Sequence, residues 1–443
     1  MTTQIVVAST AYGLATVAAA GLDGLLPPAD RRLLLVSHNT AAPEGTPDPL
    51  QIHGADRLLD GFEAVHSYNA AIAPAHPSAW RPRPEDLPIW QRYLRLRWSI
   101  PSAEPVDLVC ESIQVEPARA LVQLFPDAAI TVYADGLMSY GPTRNPLPDA
   151  VGVRIERLLY PDLVAGVTPV LLSEWGVAGQ AVSTTALRTV LGRLDRAPAV
   201  IADAAPGSVA VVVGQYLAAL GLLSPAEETR LHVAMIESAA AAGFRHVVFK
   251  AHPSAPSQAA ELSAHAGRLG VRLVSHAEPE LVEPWFGRPG VGLVVGCFST
   301  ALATAARLYG LPVRSVGADL VLGRLAPVAN SNRIPLVLAH RLFAAGSPPA
   351  EPGGVGRLVR AVAYGMQPDR VPGLRADALL LAATDAGWLR TALPLPRRIA
   401  LGLSGPRWLH RLLRNLPRPV RRRLAQWSAR LPGLDGVERA GAR

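Results

Sequence analysis

The chain has 443 residues, of which 49% are hydrophobic, and a formal net charge of +8. This length and composition allow two or three domains with substantial apolar cores. The only two cysteines, Cys110 and Cys297, predict neither a disulfide framework nor a cysteine-based metal site, and they favour a cytoplasmic protein. The longest apolar run, 209–223, is interrupted by a Gly-Gln-Tyr sequence and is too short to span a bilayer. We expect no signal peptide, because no basic segment precedes an apolar stretch at the start.

The first half of the chain alternates apolar strands with helical stretches. Its strands are nearly continuous in apolar residues, which is typical of parallel strands covered on both faces. The predicted strands are 4–10 (ending in a polar turn), 32–36, 107–110 and 129–133, and the predicted helices are 11–22 and 116–124. A segment rich in proline and tryptophan, 74–88, is predicted to be an ordered surface loop.

The pattern restarts after a proline-containing segment, 193–207, which we interpret as a linker. The predicted strands of the second half are 209–213, 245–250, 271–274, 292–295 and 311–316, and the predicted helices are 224–242, 256–269, 300–309 and 376–393. The sequence therefore predicts an α/β fold with two Rossmann-like domains in tandem and a cleft between them. We place these domains at 1–195 and 196–393.

The remaining segment, 394–443, is an arginine-rich tail. Basic residues alternate there with apolar ones around Trp408, Leu412, Leu413 and Trp427. This pattern predicts contact with an anionic membrane surface, which would make the protein peripheral to the inner face of the membrane. The alternative is a helix packed on the body of the protein with solvated arginines. No nucleic-acid partner is expected.

An Asp-Gly pair follows the predicted strand 129–133. Ligands of open α/β sheets bind beyond the carboxyl ends of the strands, and a carboxylate there can act as a general base. Asp135 is therefore a candidate base, and Gly136 would let an acceptor approach the backbone. The alternative is an ordinary Asp-Gly turn.

A His-Pro pair, His252 and Pro253, follows the predicted strand 245–250. A histidine beside a departing phosphate can donate a proton or stabilise charge, and the phosphate would raise the pKa of the imidazole. The same pentapeptide, Ala-His-Pro-Ser-Ala, also occurs around His76, where no predicted strand precedes it. We therefore assign the chemistry to His252 and a structural role to His76.

A third loop joins the predicted strand 292–295 to a helix and contains Ser299 and Thr300. Two hydroxyls and the free N–H groups of a helix N-terminus suit a phosphate. Plain helix capping by Ser299 is the alternative.

These loops in this order resemble the bacterial alpha-2,8-polysialyltransferase family, which carries an acidic-acidic-Gly motif, a His-Pro motif and a Ser/Ser-Thr motif on a GT-B-type fold. The resemblance covers roughly 4–385 and includes the segments Glu-Ser-Ile-Gln-Val from Glu111, Tyr-Gly-Pro-Thr-Arg-Asn around Arg144, and Gly-Gln-Tyr from Gly214. The first acidic position of the family motif is Ala134 here, so the role of base falls to Asp135.

The resemblance implies a role for each candidate residue. Asp135 would activate the acceptor hydroxyl, and His252 with Pro253 would assist departure of the nucleotide. The hydroxyls of Ser299 and Thr300 would hold its phosphate. The acceptor would meet three further residues, which are Glu111, Gly136 and Arg144.

The predicted activity is inverting, metal-independent transfer of a CMP-activated acidic sugar to a hydroxyl of a glycan or polysaccharide. No Asp-x-Asp motif or His/Cys cluster predicts a metal, and no cofactor is expected. The enzyme alternative is a GT-B transferase or epimerase that uses a UDP-sugar. The non-enzyme alternative is a catalytically inactive scaffold docked at the membrane by its tail.

Overall fold

A computed structural model describes residues 1–40, 48–252, 258–347 and 353–404. Its strands form two sheets that follow each other along the chain, and every strand pairing is parallel. The first sheet has seven strands, in chain order β1 (Thr3–Ala8), β2 (Arg31–Val36), β3 (Ala64–Ser67), β4 (Val106–Cys110), β5 (Ile130–Tyr133), β6 (Ile155–Pro161) and β7 (Gly179–Val182). The second has five, β8 (Val209–Val213), β9 (His246–Lys250), β10 (Arg272–His276), β11 (Val291–Gly296) and β12 (Val313–Ser315).

The helices connect and cover these strands. Those before β8 are α1 (Ala11–Leu22), α2 (Tyr68–Ile72), α3 (Leu87–Arg97), α4 (Ala118–Leu124), α5 (Asp149–Gly152), α6 (Thr184–Arg193) and α7 (Ala199–Ala202). Those after β8 are α8 (Pro225–Ala241), α9 (Ala259–Arg268), α10 (Thr300–Tyr309), α11 (Ala318–Arg324), α12 (Arg333–Phe343), α13 (Gly354–Met366), α14 (Arg375–Thr384), α15 (Ala386–Ala392) and α16 (Leu395–Ala400). No described helix is long and apolar enough to cross a bilayer.

The strand order in each sheet has a switch point. The first sheet runs β3-β2-β1-β4-β5-β6-β7 and the second runs β10-β9-β8-β11-β12. In both, the chain starts in the middle, builds outward on one side and then returns to build on the other. This is the doubly wound arrangement, and the predicted fold class of two Rossmann-like domains in tandem is confirmed. The crevice outside the strand ends at a switch point is where ligands bind in such sheets.

The central strands of both sheets are largely apolar, and both faces of each sheet are therefore covered by other parts of the protein. All residues of β1 and β8 are buried. On one face of the first sheet, residues of α1 and α6 join a core that continues into the second half of the chain. On the other face, Leu94 of α3, Trp98 and Leu121 of α4 belong to a separate core. One face of the first sheet is therefore turned toward the second domain and the other away from it.

Direct contacts join the two halves. The Tyr12 hydroxyl lies 3.1 Å from Thr304 Oγ1 in a buried position. Arg307 forms an ion pair with Asp162. The first turn of α1 thus lies against the second turn of α10, and each carries a hydroxyl group toward the other half.

Most predicted elements agree with the structure, and three strands are additional. Helices α1 and α10 have the predicted bounds, and α8 begins with the predicted cap at Ser224, which forms a capping box with Glu227. The additional strands are β3, β6 and β7. The predicted loop 74–88 ends earlier than expected, because α3 begins at Leu87. The domain limits at 195 and 393 stay predictions.

The predicted tail is described only as far as residue 404. Its first part contains α16, where Arg398 is buried and donates hydrogen bonds to the Leu393 carbonyl and to Ser404 Oγ. Trp408, Leu412, Leu413 and Trp427 lie outside the described residues. Arg397 donates a 2.7 Å hydrogen bond to the Gly365 carbonyl of α13, so the start of the tail packs on the body of the protein.

Candidate active site

Three adjacent strands of the first sheet, β1, β4 and β5, end at one edge and bring polar residues together. Ser9 and Thr10 follow β1, and Thr10 caps α1 by accepting a hydrogen bond from the Gly13 N–H. Glu111 follows β4, and Asp135 follows β5. The switch point of the sheet lies between β1 and β4, so these side chains line the crevice that the topology predicts.

Glu111 is held by the end of β1. Its Oε2 accepts hydrogen bonds from the Ser9 N–H at 2.8 Å and from Ser9 Oγ at 2.6 Å. Burial, together with the nearby charge of Asp135, raises the pKa of Glu111 to about 7. Like charges this close resist ionising together, so the two carboxyl groups titrate as a pair.

Asp135 lies between Glu111 and the N-terminus of α1. It is partly accessible to solvent, and its Oδ2 accepts a hydrogen bond from Thr10 Oγ1 at 3.3 Å. Burial among protein atoms raises the pKa of Asp135, so it departs from the ordinary aspartate value. Ala134 packs with the core on the far face of the sheet. Because side chains alternate along a strand, Asp135 and not residue 134 faces the second domain.

The loop after Asp135 touches the second domain. Thr300 Oγ1 accepts a hydrogen bond from the Leu137 N–H at 3.4 Å. A Cβ at Gly136 would lie 2.9 Å from Thr300 Oγ1, which explains the glycine by close packing. Its backbone is extended, so no strain is involved. Thr300 is therefore next to the carboxyl pair, while the acceptor role of Gly136 stays a prediction.

The N-terminus of α10 is capped by its own serine. Ser299 Oγ accepts a hydrogen bond from the Ala301 N–H at 3.3 Å. The hydroxyl O–H of Ser299 can still donate, as can that of Thr300. The structure thus brings Ser299 and Thr300 to the edge of the first domain, as part of a helix end whose first N–H groups attract anions.

His252 follows β9, in the second sheet. Its ring stacks on Tyr216, with the ring centroids 3.8 Å apart. Burial, together with the charge of Lys250, lowers the pKa of His252 to about 4. The imidazole is therefore neutral at pH 7 in the protein alone. Pro253 lies outside the described residues.

A buried carboxyl group that the sequence did not suggest lies in the second domain. Burial raises the pKa of Glu283 to about 7, partly offset by Lys250. Its charge also raises the pKa values of Tyr12 and Tyr309, so it lies near the contact between the domains. Lys250 itself donates a 2.6 Å hydrogen bond to the Glu278 carbonyl, and burial lowers its pKa.

The two remaining predicted residues differ in setting. Arg144 is exposed, and its main chain is fixed by Gln114 and by Gln367, at 2.7 and 3.1 Å. Its contact with an acceptor stays a prediction. Both ring nitrogens of His76 are engaged: Nδ1 bonds Ser78 Oγ of the same loop at 2.7 Å, and Nε2 bonds the Thr40 carbonyl, in the segment after β2, at 2.8 Å. These bonds agree with a structural role for the first His-Pro copy.

Solved structures that are similar to this chain are remote from it in sequence. A UDP-glucose:anthocyanidin 3-O-glucosyltransferase in complex with UDP is 10% identical, with 96% of this chain and 99% of that chain covered and a TM-score of 0.43. A UDP-glucosyltransferase from Polygonum tinctorium is 12% identical, with 96% and 99% covered and a TM-score of 0.41. MurG of Acinetobacter baumannii is 8% identical, with 71% and 78% covered and a TM-score of 0.35. No curated protein matches significantly.

The family of the chain is shown by its match to a protein-family model. The model for alpha-2,8-polysialyltransferase (POLYST) matches residues 4–318. This span contains the carboxyl pair after β4 and β5, the histidine after β9 and the hydroxyls that begin α10. The chain belongs to the alpha-2,8-polysialyltransferase family and is a glycosyltransferase.

Proposed function

We propose that this glycosyltransferase moves a CMP-activated acidic sugar to a hydroxyl of a glycan, with inversion and without a metal. The observation that carries the proposal is the meeting of two carboxyl groups of the first domain with the hydroxyl-bearing N-terminus of α10. Asp135 and Glu111 can receive a proton, and the helix end can hold a phosphate, on opposite sides of one crevice. Membership of the family supports the choice of CMP and of an acidic sugar.

The reaction is a single displacement. The acceptor hydroxyl attacks the anomeric carbon, and its proton passes to the Asp135 carboxylate. The bond from that carbon to the phosphate oxygen breaks, and the phosphate of CMP takes the electron pair. The N–H groups and hydroxyls at Ser299 and Thr300 stabilise this phosphate, as positioned dipoles do for developing charge.

His252 assists the leaving group from the end of β9, which is separated by one strand, β8, from β11 in the same sheet. Its neutral ring donates an N–H hydrogen bond, and a phosphate dianion nearby raises its pKa and favours the imidazolium. Stacking on Tyr216 at 3.8 Å fixes the plane of the ring. We further propose that Arg144, on its exposed loop, meets an anionic acceptor, and that residues 405–443 contact the inner face of the membrane.

Nucleotide binding tests the choice of donor. We expect CMP to raise the melting temperature by several degrees, and UDP to raise it much less, because ligand binding to the folded state stabilises it by mass action. Donor hydrolysis distinguishes an enzyme from a scaffold: the purified protein should release CMP slowly from the CMP-sugar. Preferential stabilisation by UDP would favour a UDP-sugar transferase or epimerase, and the lack of any hydrolysis or transfer would favour the scaffold.

The raised pKa of Asp135 predicts the acidic limb of the pH dependence of transfer. A base must be ionised to work, so kcat/KM should rise with pH through this raised pKa. The charge of Asp135 contributes to the raised pKa of Glu111, whereas burial is the cause of the raised pKa of Asp135. Glu111→Gln should therefore leave the acidic limb in place and the plateau rate within about tenfold of the original. A limb that moves in Glu111→Gln, but not in the control Glu156→Gln at an exposed position on β6, would show that Glu111 is the group that titrates.

A further inference from the structure

Helix α3 presents a stripe of large apolar side chains to solvent. Ile89, Tyr93 and Leu96 are 70%, 40% and 73% exposed. Their spacing places them on one face of the helix. Single exposed apolar residues are common. Three large ones on the same face of one helix form an apolar patch, which is typical of an interaction surface.

The other side of α3 is anchored, so the stripe is rigid. Leu94 is fully buried in the core, and Trp90 packs edge-on against Trp80 with ring centroids 4.8 Å apart. Gln91 donates a 2.9 Å hydrogen bond to the Leu124 carbonyl at the end of α4. The core beneath α3 covers the face of the first sheet that is turned away from the second domain. A partner on α3 would therefore leave the crevice open.

The charge around the stripe is positive. The helix carries Arg92, Arg95 and Arg97 and no acidic residue. Arg92 lies between the apolar side chains and is exposed, as is Arg97. The two acidic residues just before the helix are both paired with Arg83. The stripe thus combines apolar side chains with uncompensated cationic ones.

We propose that α3 docks on the surface of a bilayer that contains anionic phospholipid. Ile89, Tyr93 and Leu96 enter the boundary between headgroups and acyl chains, and Arg92 and Arg97 contact lipid phosphates. A tyrosine suits this boundary because its ring is apolar and its hydroxyl polar. A second copy of the chain is a poorer occupant, since like-charged arginines would meet, and the arginine-rich segment 405–443 is excluded on the same ground. The proposal is independent of the donor.

Vesicle binding by the full chain tests the proposal. We expect capture by vesicles of phosphatidylcholine with phosphatidylglycerol, and not by phosphatidylcholine alone. Ile89→Gln combined with Leu96→Gln, and separately Arg92→Glu, should each lower the partition coefficient about tenfold. Helix α14 supplies matched controls: Leu379 and Leu380 are 37% and 46% exposed, so Leu379→Gln with Leu380→Gln, or Arg375→Glu, should have little effect.

A local probe separates α3 from the tail. Both native cysteines are buried, so an environment-sensitive thiol dye attached through Leu96→Cys reports on α3 alone. Its emission should shift to the blue on anionic vesicles, whereas a dye attached through Leu379→Cys should not respond. No capture, equal losses in α3 and α14 variants, or an unresponsive dye at residue 96 would each overturn the proposal. CMP-induced stabilisation should be unchanged in all variants, which keeps this test distinct from that of the donor.

Discussion

Asp135→Asn should lower the rate of sugar transfer about 10²- to 10⁴-fold, the usual contribution of a general base. Asparagine has nearly the same shape and can still accept the hydrogen bond from Thr10, but it cannot take a proton. The melting temperature and the affinity for CMP should stay close to those of the original protein. Initial rates with saturating donor and acceptor measure the effect.

Asp127→Asn is the matched control, because Asp127 is an exposed aspartate just before β5, at the opposite end of the strand. It should leave the rate unchanged. If Asp135→Asn remains fully active, Asp135 is a helix-capping partner of Thr10 and not the base. Glu111, held by Ser9 on the neighbouring strand, would then be the remaining carboxyl group of the pair.

His252→Ala should lower transfer about 10²- to 10³-fold, as the loss of a group that stabilises developing charge does. His76→Ala should leave transfer nearly intact, since both ring nitrogens of His76 already bond to protein groups, Ser78 Oγ and the Thr40 carbonyl. The comparison is direct because the two histidines occupy the same position in two copies of one pentapeptide sequence. Transfer rates and melting temperatures of the two variants decide between chemical and structural roles.

The stacking partner of His252 provides a second control. Tyr216→Phe keeps the ring on which His252 stacks, so it should retain most of the activity. Equal losses in the His252 and His76 variants, with both proteins folded, would refute the assignment of chemistry to His252. A large loss in Tyr216→Phe would instead point to the tyrosine hydroxyl as a ligand-binding group.

The strands with continuous apolar runs could be predicted from the sequence. Parallel strands buried on both faces, such as β1 and β8, need apolar side chains at every position. The strand β6 lacks this signal because Glu156 and Arg157 interrupt its apolar residues. The strand β7, with the sequence Gly-Gln-Ala-Val, is short and largely polar. Pairing within the sheet decides the conformation of such segments, and local sequence does not carry that information.

The sequence allows prediction of those site residues that directly follow a strand. Asp135, His252, Ser299 and Thr300 each come after an apolar run, so topology brings them to the sheet edges. Local sequence gave no sign of the contact between Gly136 and Thr300, which depends on how the domains meet. Local sequence also carries no sign that burial raises the pKa of Asp135, because desolvation is a property of the folded crevice.

Glu283 illustrates a residue that sequence patterns do not reveal. It precedes a proline in a short turn, 283–287, where an acidic residue is unremarkable. Only the folded chain brings its buried carboxyl near Lys250 and Tyr12. The raised pKa of Glu283 follows from that burial.

The most direct test of the central claim is transfer from CMP-sialic acid to an oligosaccharide that ends in sialic acid. The purified full chain should lengthen the acceptor and release one CMP for each sugar added, without an added metal and in the presence of a chelator. Asp135→Asn should abolish both products together. Transfer from a UDP-sugar in place of the CMP-sugar, or undiminished transfer by Asp135→Asn, would contradict the account.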